Sequence, residues 1–257
     1  LNALGRAHQM DYFADGHRGA AIIAATYLCR EYRMEPGVWR VIQAMIDRSW
    51  ATTPLCAPFP GESANPERLS EIRRHIELGT DALRQAGHNV ILPTLALKAF
   101  RERPDAATPS RIDGICKLID RFTAQPGPYP ETHPSVPDLD QPSAVAEFVL
   151  SELLVTLEAF DGRGQGWSGH LLTYGMALLD LQAMGFAATA RAAMPAFRTY
   201  VNRIRMGPLE TDVPRPDFDP TEKVVQYIAK AAADHAQLVV FPEYLLGRIS
   251  VPGRETE

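Results

Sequence analysis

The chain has few cysteines, no excess of basic charge and no long apolar run, and each shortage excludes a class of protein. Its three cysteines, Cys29, Cys56 and Cys116, include no Cys-x-x-Cys pair, which argues against a disulfide framework and favours a reducing compartment. A formal net charge of −5 over 257 residues lacks the positive surface that binds nucleic acids. The longest apolar run, residues 19–29, is too short to cross a bilayer, and the first ten residues show no signal pattern. We therefore predict a cytoplasmic protein with neither nucleic-acid nor membrane partners.

The motifs of several enzyme classes are also missing. The sequence has no His-Glu-x-x-His zinc helix, no Glu-x-x-His di-iron pair, no phosphate-binding loop and no dinucleotide fingerprint after a strand. The stretch from Gly166 to His170 departs from the serine-hydrolase elbow at its last position. The sequence therefore predicts no nucleotide cofactor and no serine hydrolase.

What the sequence does contain is helical periodicity, and no stretch shows sustained strand alternation. Helices with one apolar face are predicted around Ile72, Ile115 and Val149. Helices without a polar face belong in the interior of a protein. Four segments are of that kind: residues 19–28, 90–97, 171–181 and 238–246. The predicted fold class is all-α.

Three proline-rich loops separate the helices, at residues 51–66, 126–142 and 207–220. Proline fixes φ and removes a hydrogen-bond donor, so these segments are predicted to be extended connectors. Each loop ends on a proline, which follows Asn65, Gln141 or Asp219. Asn or Asp before Pro is typical of a helix start. Loops this long usually serve as lids or binding loops.

Histidines precede the four apolar segments: His17, His88, His170 and His235. Glycine comes directly before the first three of them. A helix start marked by proline follows each of those three histidines at a similar distance. Pro66 comes 49 residues after His17, Pro142 comes 54 after His88, and Pro220 comes 50 after His170. The sequence therefore repeats a unit made of an inner helix opened by histidine, an amphipathic helix, a proline loop and a capped helix.

Repeated helical units of this kind form stacked or closed architectures. We place the units at residues 17–87, 88–169 and 170–234, followed by a closing helix at 235–248. An extended loop of about fifteen residues reaches about 45 Å, which exceeds the roughly 24 Å length of a sixteen-residue helix. We therefore predict one domain, residues 1–257, with an α/α toroid-like arrangement whose loops return the chain and bring the four histidines to one rim.

An imidazole in the first helical turn lies among unpaired N–H groups at the positive end of the helix dipole, which favours the neutral ring. Neutral imidazole is the form that binds metal ions and acts as a general base. We therefore predict the four histidines to be metal ligands or catalytic groups, with Fe, Zn or Cu as the candidate ions. Tyr174 lies one turn after His170 and is the candidate proton donor. Asp15 and Asp234 are candidates to balance the charge of an ion near helix N-termini.

Two other interpretations stay open. A single histidine at a helix start is typical of a cap or a packing residue, and repeat ancestry alone would preserve such caps. A metal-free pocket for an anionic or carbonyl-bearing ligand fits the helix dipoles equally well.

Two short stretches resemble the questin oxidase-like family, a helical family in which histidines open apolar helices. They are Gly-His-Leu-Leu-Thr-Tyr-Gly-Met-Ala-Leu at residues 169–178 and Gly-His-Asn-Val at residues 87–90. The chain lacks the further histidines that the family carries within its helices. The resemblance implies oxidative chemistry on an aromatic, polyketide-like substrate.

Together these features predict a metal-dependent oxidoreductase that acts on a small, largely apolar organic substrate in a cavity lined by histidines. A lyase or isomerase with the same pocket is the first alternative. The second alternative is a non-catalytic helical-repeat protein that binds a peptide or a hydrophobic ligand.

Overall fold

A computed structural model describes residues 1–31, 36–127, 129, 135–160 and 165–210 of the chain. The α-helices are α1 Asn2–Ala7, α2 Tyr12–Glu31, α3 Pro36–Ile46, α4 Leu69–Leu78, α5 His88–Glu102, α6 Pro109–Arg121, α7 Pro142–Phe160, α8 Gln165–Ala183 and α9 Ala187–Arg205. The described residues contain no β-strand, although Arg84 and Ala124 form one isolated antiparallel bridge. The prediction of an all-α fold is confirmed.

Two expectations from composition can be compared with this fold. Among the helices within the described ranges, none is both long enough and apolar enough to pass through a bilayer. Cys29, Cys56 and Cys116 are all free thiols, as the absence of a disulfide pattern predicts. Burial raises the pKa of the Cys116 thiol to about 12, so this thiol stays protonated at neutral pH.

The described chain folds as two compact units. The first comprises residues 1–75 and 92–121, and the second comprises residues 76–91 and 122–210. The prediction of a single domain built from three repeats and arranged as a toroid stays a prediction. The expected unit at 170–234 and the closing helix at 235–248 extend beyond the described residues.

In the first unit, α1 packs against both α2 and α6. The approach of α1 to α6 is very close, since a Cβ atom built on Gly114 would lie 1.9 Å from the carbonyl oxygen of Gly5. Two glycines at the crossing allow this contact between backbones. Leu4 of α1 is completely buried, so the short helix is held mainly by the apolar surface that it covers.

Three polar side-chain contacts lie at the edge of the first unit. Arg68 pairs with Glu71 at 2.7 Å and with Asp113 of α6 at 2.6 Å. His75 of α4 lies 2.8 Å from a carboxylate oxygen of Asp120. These pairs are partly solvent-exposed, so each contributes little to stability. His75 thus lies at the periphery of the unit, with 31% of its side chain exposed.

In the second unit, α8 packs between α7 and α9, and the turn at Gln85–Gly87 contacts both α8 and α9. The core of the second unit includes the buried side chains Val145, Val149, Leu171, Leu172, Tyr174, Leu178, Phe197 and Tyr200. The second proline loop ends where the sequence predicts, because α7 begins at Pro142. The first loop ends on a short 3-10 turn at Pro66–Arg68, for which the side chain of Asn65 makes no capping bond.

Candidate metal centre

An unusual turn precedes α5. Three successive residues have positive φ angles: 40° at Gln85, 59° at Ala86 and 91° at Gly87. Positive φ strains a residue that has a Cβ atom, and strained backbone is common at functional sites. The turn is held by hydrogen bonds from the Gly87 amide to the Arg84 carbonyl and from the Ala86 amide to the Gln125 side chain.

This turn positions His88, the first residue of α5. The His88 side chain is only 3% exposed, and its ring stacks on Phe122 with centroids 5.8 Å apart. Its Nδ1–H group donates to the carbonyl oxygen of Gln85 within the strained turn. Because Nδ1 carries the proton, Nε2 presents a lone pair.

His170 of α8 meets His88 at this lone pair. The two Nε2 atoms are 2.8 Å apart, and the ring centroids are separated by 4.4 Å. Two lone pairs cannot face each other at this distance, so the arrangement requires either one shared proton or a cation bound by both nitrogens. The pair is far apart in sequence and is brought together by the packing of the strained turn on α8.

His17 lies in the first unit, within α2. Its Nδ1–H group donates to the carbonyl oxygen of Phe13 at 2.6 Å, which leaves Nε2 with the lone pair as in His88. Burial lowers the pKa of His17, against the opposing effects of the Phe13 carbonyl and Asp11. The neutral ring predicted from the sequence is therefore favoured here by burial.

The helix-start prediction is wrong for two of the histidines. His88 does begin α5, but His17 and His170 are each the sixth residue of their helices, α2 and α8. The helix dipole therefore does not explain a neutral ring at these two positions, because its effect fades within the first turn. His235 lies outside the described residues, as does Asp234.

The other predicted participants have clear partners. Tyr174 is completely buried, its hydroxyl donates to the Ala193 carbonyl at 3.3 Å, and burial raises its pKa. Its ring lies directly against Gly87, where a Cβ atom would be 2.3 Å from Cδ1. Asp15 is ion-paired with Arg18 at 2.6 Å, so its negative charge is already compensated.

A second group of side chains at α8 was not predicted as a site. Arg203, in the last turn of α9, lies over the ring of Trp167 at 4.6 Å. Tyr200 stacks on the same ring with centroids 6.0 Å apart. The sequence gives no signal for this group, because only the folded chain shows that Arg203 is buried.

No protein-family model, no curated protein and no solved structure matches the chain.

Proposed function

We propose that the chain is an enzyme that uses a transition metal, held by His88 and His170, to act on a small and largely apolar organic substrate. The supporting observation is the 2.8 Å separation of the two Nε2 atoms, together with the bond that fixes the His88 ring. When bound, the metal would supply Lewis-acid or redox chemistry.

The distance suits two ligands of one ion. Nitrogens bound at about 2.0–2.1 Å and at angles near 90–110° lie about 2.9–3.4 Å apart, so a small rotation of either ring accommodates an ion. Metal-binding histidines usually donate their other N–H group to a carbonyl or carboxylate, which fixes the ring. The Gln85 carbonyl provides this contact for His88.

Two imidazoles are an incomplete ligand set. We propose His17 and His235 as further ligands because they occupy the equivalent positions in the sequence repeat. His17 has its Nδ1 bound to a backbone carbonyl, the same arrangement as His88, and therefore offers Nε2. A set of neutral nitrogen ligands suits Fe, Zn or Cu.

The reaction class that we propose is oxidation. It rests on the resemblance of residues 169–178 and 87–90 to the questin oxidase-like family. Trp167, three residues before His170 on α8, is the partly exposed aromatic side chain near the pair, and it favours a substrate with an aromatic or otherwise apolar body. In this reaction the chain's own residues would bind the substrate and keep the metal ligands oriented.

A second candidate function follows from the same distance. If a proton rather than a metal joins His88 and His170, the pair would be a general acid and base, which fits a metal-free lyase or isomerase. The fixed tautomer of His88 makes it the acceptor and His170 the donor. A non-catalytic ligand-binding protein would need neither a bound metal ion nor an acid–base pair.

Metal analysis of the full chain, purified without a histidine tag, tests the proposal. We expect about one Fe, Zn or Cu ion per chain, and at least a tenfold loss of affinity in the His88→Gln/His170→Gln double variant, because removing both nitrogens removes the core of the ligand set. The measurement is elemental analysis after equilibration with each ion. His75→Gln is the matched control, since His75 lies against Asp120 in the other unit.

The metal proposal fails if the natural chain binds none of the three ions, or if the double variant binds them as well as the natural chain does. Circular dichroism shows whether the variants keep their helices. Single His17→Gln and His170→Gln variants show which histidines are ligands. If His170→Gln lowers the metal affinity and His17→Gln does not, His17 is not a ligand.

A further inference from the structure

Arg203 is a buried cation whose charge is only partly accounted for. Its side chain lies in the last turn of α9, and the residue is 5% exposed. Its Nη1–H group donates to the Gly207 carbonyl at 2.9 Å, which is a normal contact for an arginine at a helix C-terminus. Its Nη2 atom is buried and has no hydrogen-bond partner among the described residues.

An unpaired buried donor on a charged group is costly. Burial of a cation without a counter-charge is opposed by the lost hydration of that cation. The guanidinium carbon lies over the Trp167 ring, 4.6 Å from its centroid, and a cation–π contact of this kind offsets part of the cost. It does not satisfy the N–H groups of Nη2, since those groups need an acceptor in the guanidinium plane.

The surroundings of Arg203 are aromatic. The Trp167 ring also stacks on Tyr200, whose hydroxyl donates to the Trp167 carbonyl. Burial raises the pKa of the phenols of Tyr200 and Tyr129, and the charge of Arg203 opposes the rise in both. The position therefore combines one unsatisfied cationic donor with flat apolar surfaces.

We propose that Arg203 binds the carboxylate of a small aromatic or apolar acid, whose body lies against Trp167. A carboxylate accepts in the plane of a guanidinium and supplies both the acceptor and the counter-charge that Nη2 lacks. The ligand class is an organic monoacid, and nothing in this step makes or breaks a covalent bond.

The position of this site connects it with the candidate metal centre. Trp167 precedes His170 by three residues on α8, and Tyr174 follows it by four, so the three side chains share one face of the helix. Tyr200 lies between them, with its ring centroid 6.3 Å from that of Tyr174. This inference rests on the proposed function in one respect: it takes the bound acid to be the substrate of the metal centre.

Binding of benzoate to the full chain, with benzyl alcohol as its uncharged counterpart, tests the inference by calorimetry and thermal shift in a chloride buffer. We expect benzoate to bind with a Kd of about 1 mM or tighter and benzyl alcohol to bind at least tenfold more weakly. In Arg203→Met the affinity for benzoate should fall about tenfold or more, because the charge and the in-plane donors are lost. Arg205→Met is the matched control, since Arg205 is half exposed and pairs with Glu152.

Three results would overturn the inference: benzoate that does not bind, benzyl alcohol that binds equally well, or an Arg203→Met variant that binds benzoate with unchanged affinity. If Arg203→Met does not fold, Arg203→Lys gives the answer, because it keeps the charge and removes the planar fork. A weaker Kd in this variant supports the inference, whereas an unchanged Kd opposes it.

Metal content, measured on the same samples, separates this inference from the proposed function. Binding of benzoate through Arg203 in a chain that binds no metal would support the acid site and exclude the metal enzyme. A chain that binds metal but shows no dependence of benzoate binding on Arg203 would support the metal enzyme and exclude the acid site.

Discussion

Replacement of Gly114 by alanine should lower the free energy of unfolding by about 3 kcal/mol. The new Cβ atom would lie 1.9 Å from the Gly5 carbonyl oxygen and 2.9 Å from its Cα atom. Both of these are backbone atoms, so no side-chain rotation relieves the overlap. The short helix α1 must therefore move away from α6, which exposes the buried side chain of Leu4. Urea unfolding followed by circular dichroism measures the effect.

Gly37→Ala is the control for this prediction. Gly37 lies in the first turn of α3, and a Cβ atom built there meets nothing within 4 Å. This substitution should change the free energy of unfolding by no more than about 1 kcal/mol, in the stabilising direction expected for alanine in a helix. Equal free energies of unfolding for Gly114→Ala and Gly37→Ala would contradict the close backbone contact between α1 and α6.

The sequence predicted the surface-facing helices well because their apolar residues recur with the helical period. Ile72 and Ile76 of α4 and Ile112, Ile115 and Ile119 of α6 are all buried. Which face of a helix is buried depends on the spacing of apolar residues within that helix, so it can be predicted from the sequence alone. The predicted start of α7 at Pro142 is local for the same reason: proline is favoured in the first helical turn.

The starts of the apolar helices were less predictable, because the Gly-His pairs have three different structural roles. Gly87 is in a left-handed turn, with φ 91°. Gly16 lies inside α2, where a Cβ atom would come within 3.0 Å of Leu92. Gly169 lies inside α8, and open space surrounds its Cβ position. A glycine can therefore mark a turn, a close packing contact or neither, and only the first starts a helix at the next residue.

The sites themselves depend on contacts between distant parts of the chain. His88 and His170 are 82 residues apart, and the repeat was the signal that paired them. Arg203 had no such signal, since an arginine near a helix C-terminus is usually a solvated residue that interacts with the dipole. Its burial beside Trp167 is a property of how α8 packs on α9.

Replacement of Gly87 by alanine should strongly destabilise the turn that positions His88. At φ 91° an L residue is strained by about 1–3 kcal/mol, and the added Cβ atom would lie 2.3 Å from Tyr174 Cδ1. The ring of Tyr174 is completely buried, so it has no free space to enter, and this overlap adds about 1–3 kcal/mol. We expect a total loss of about 2–6 kcal/mol in unfolding free energy, measured in urea.

The same substitution should weaken metal binding, because it displaces the turn whose carbonyl fixes His88. Loss of an orienting contact to a ligand typically lowers metal affinity by about 10–100-fold. Ala86→Gly is the opposite change in the same turn: it removes a Cβ atom at φ 59° and should stabilise the chain by about 1 kcal/mol while metal affinity stays the same. If Gly87→Ala loses stability but keeps full metal affinity, the strained turn supports the packing of α8 and does not orient His88.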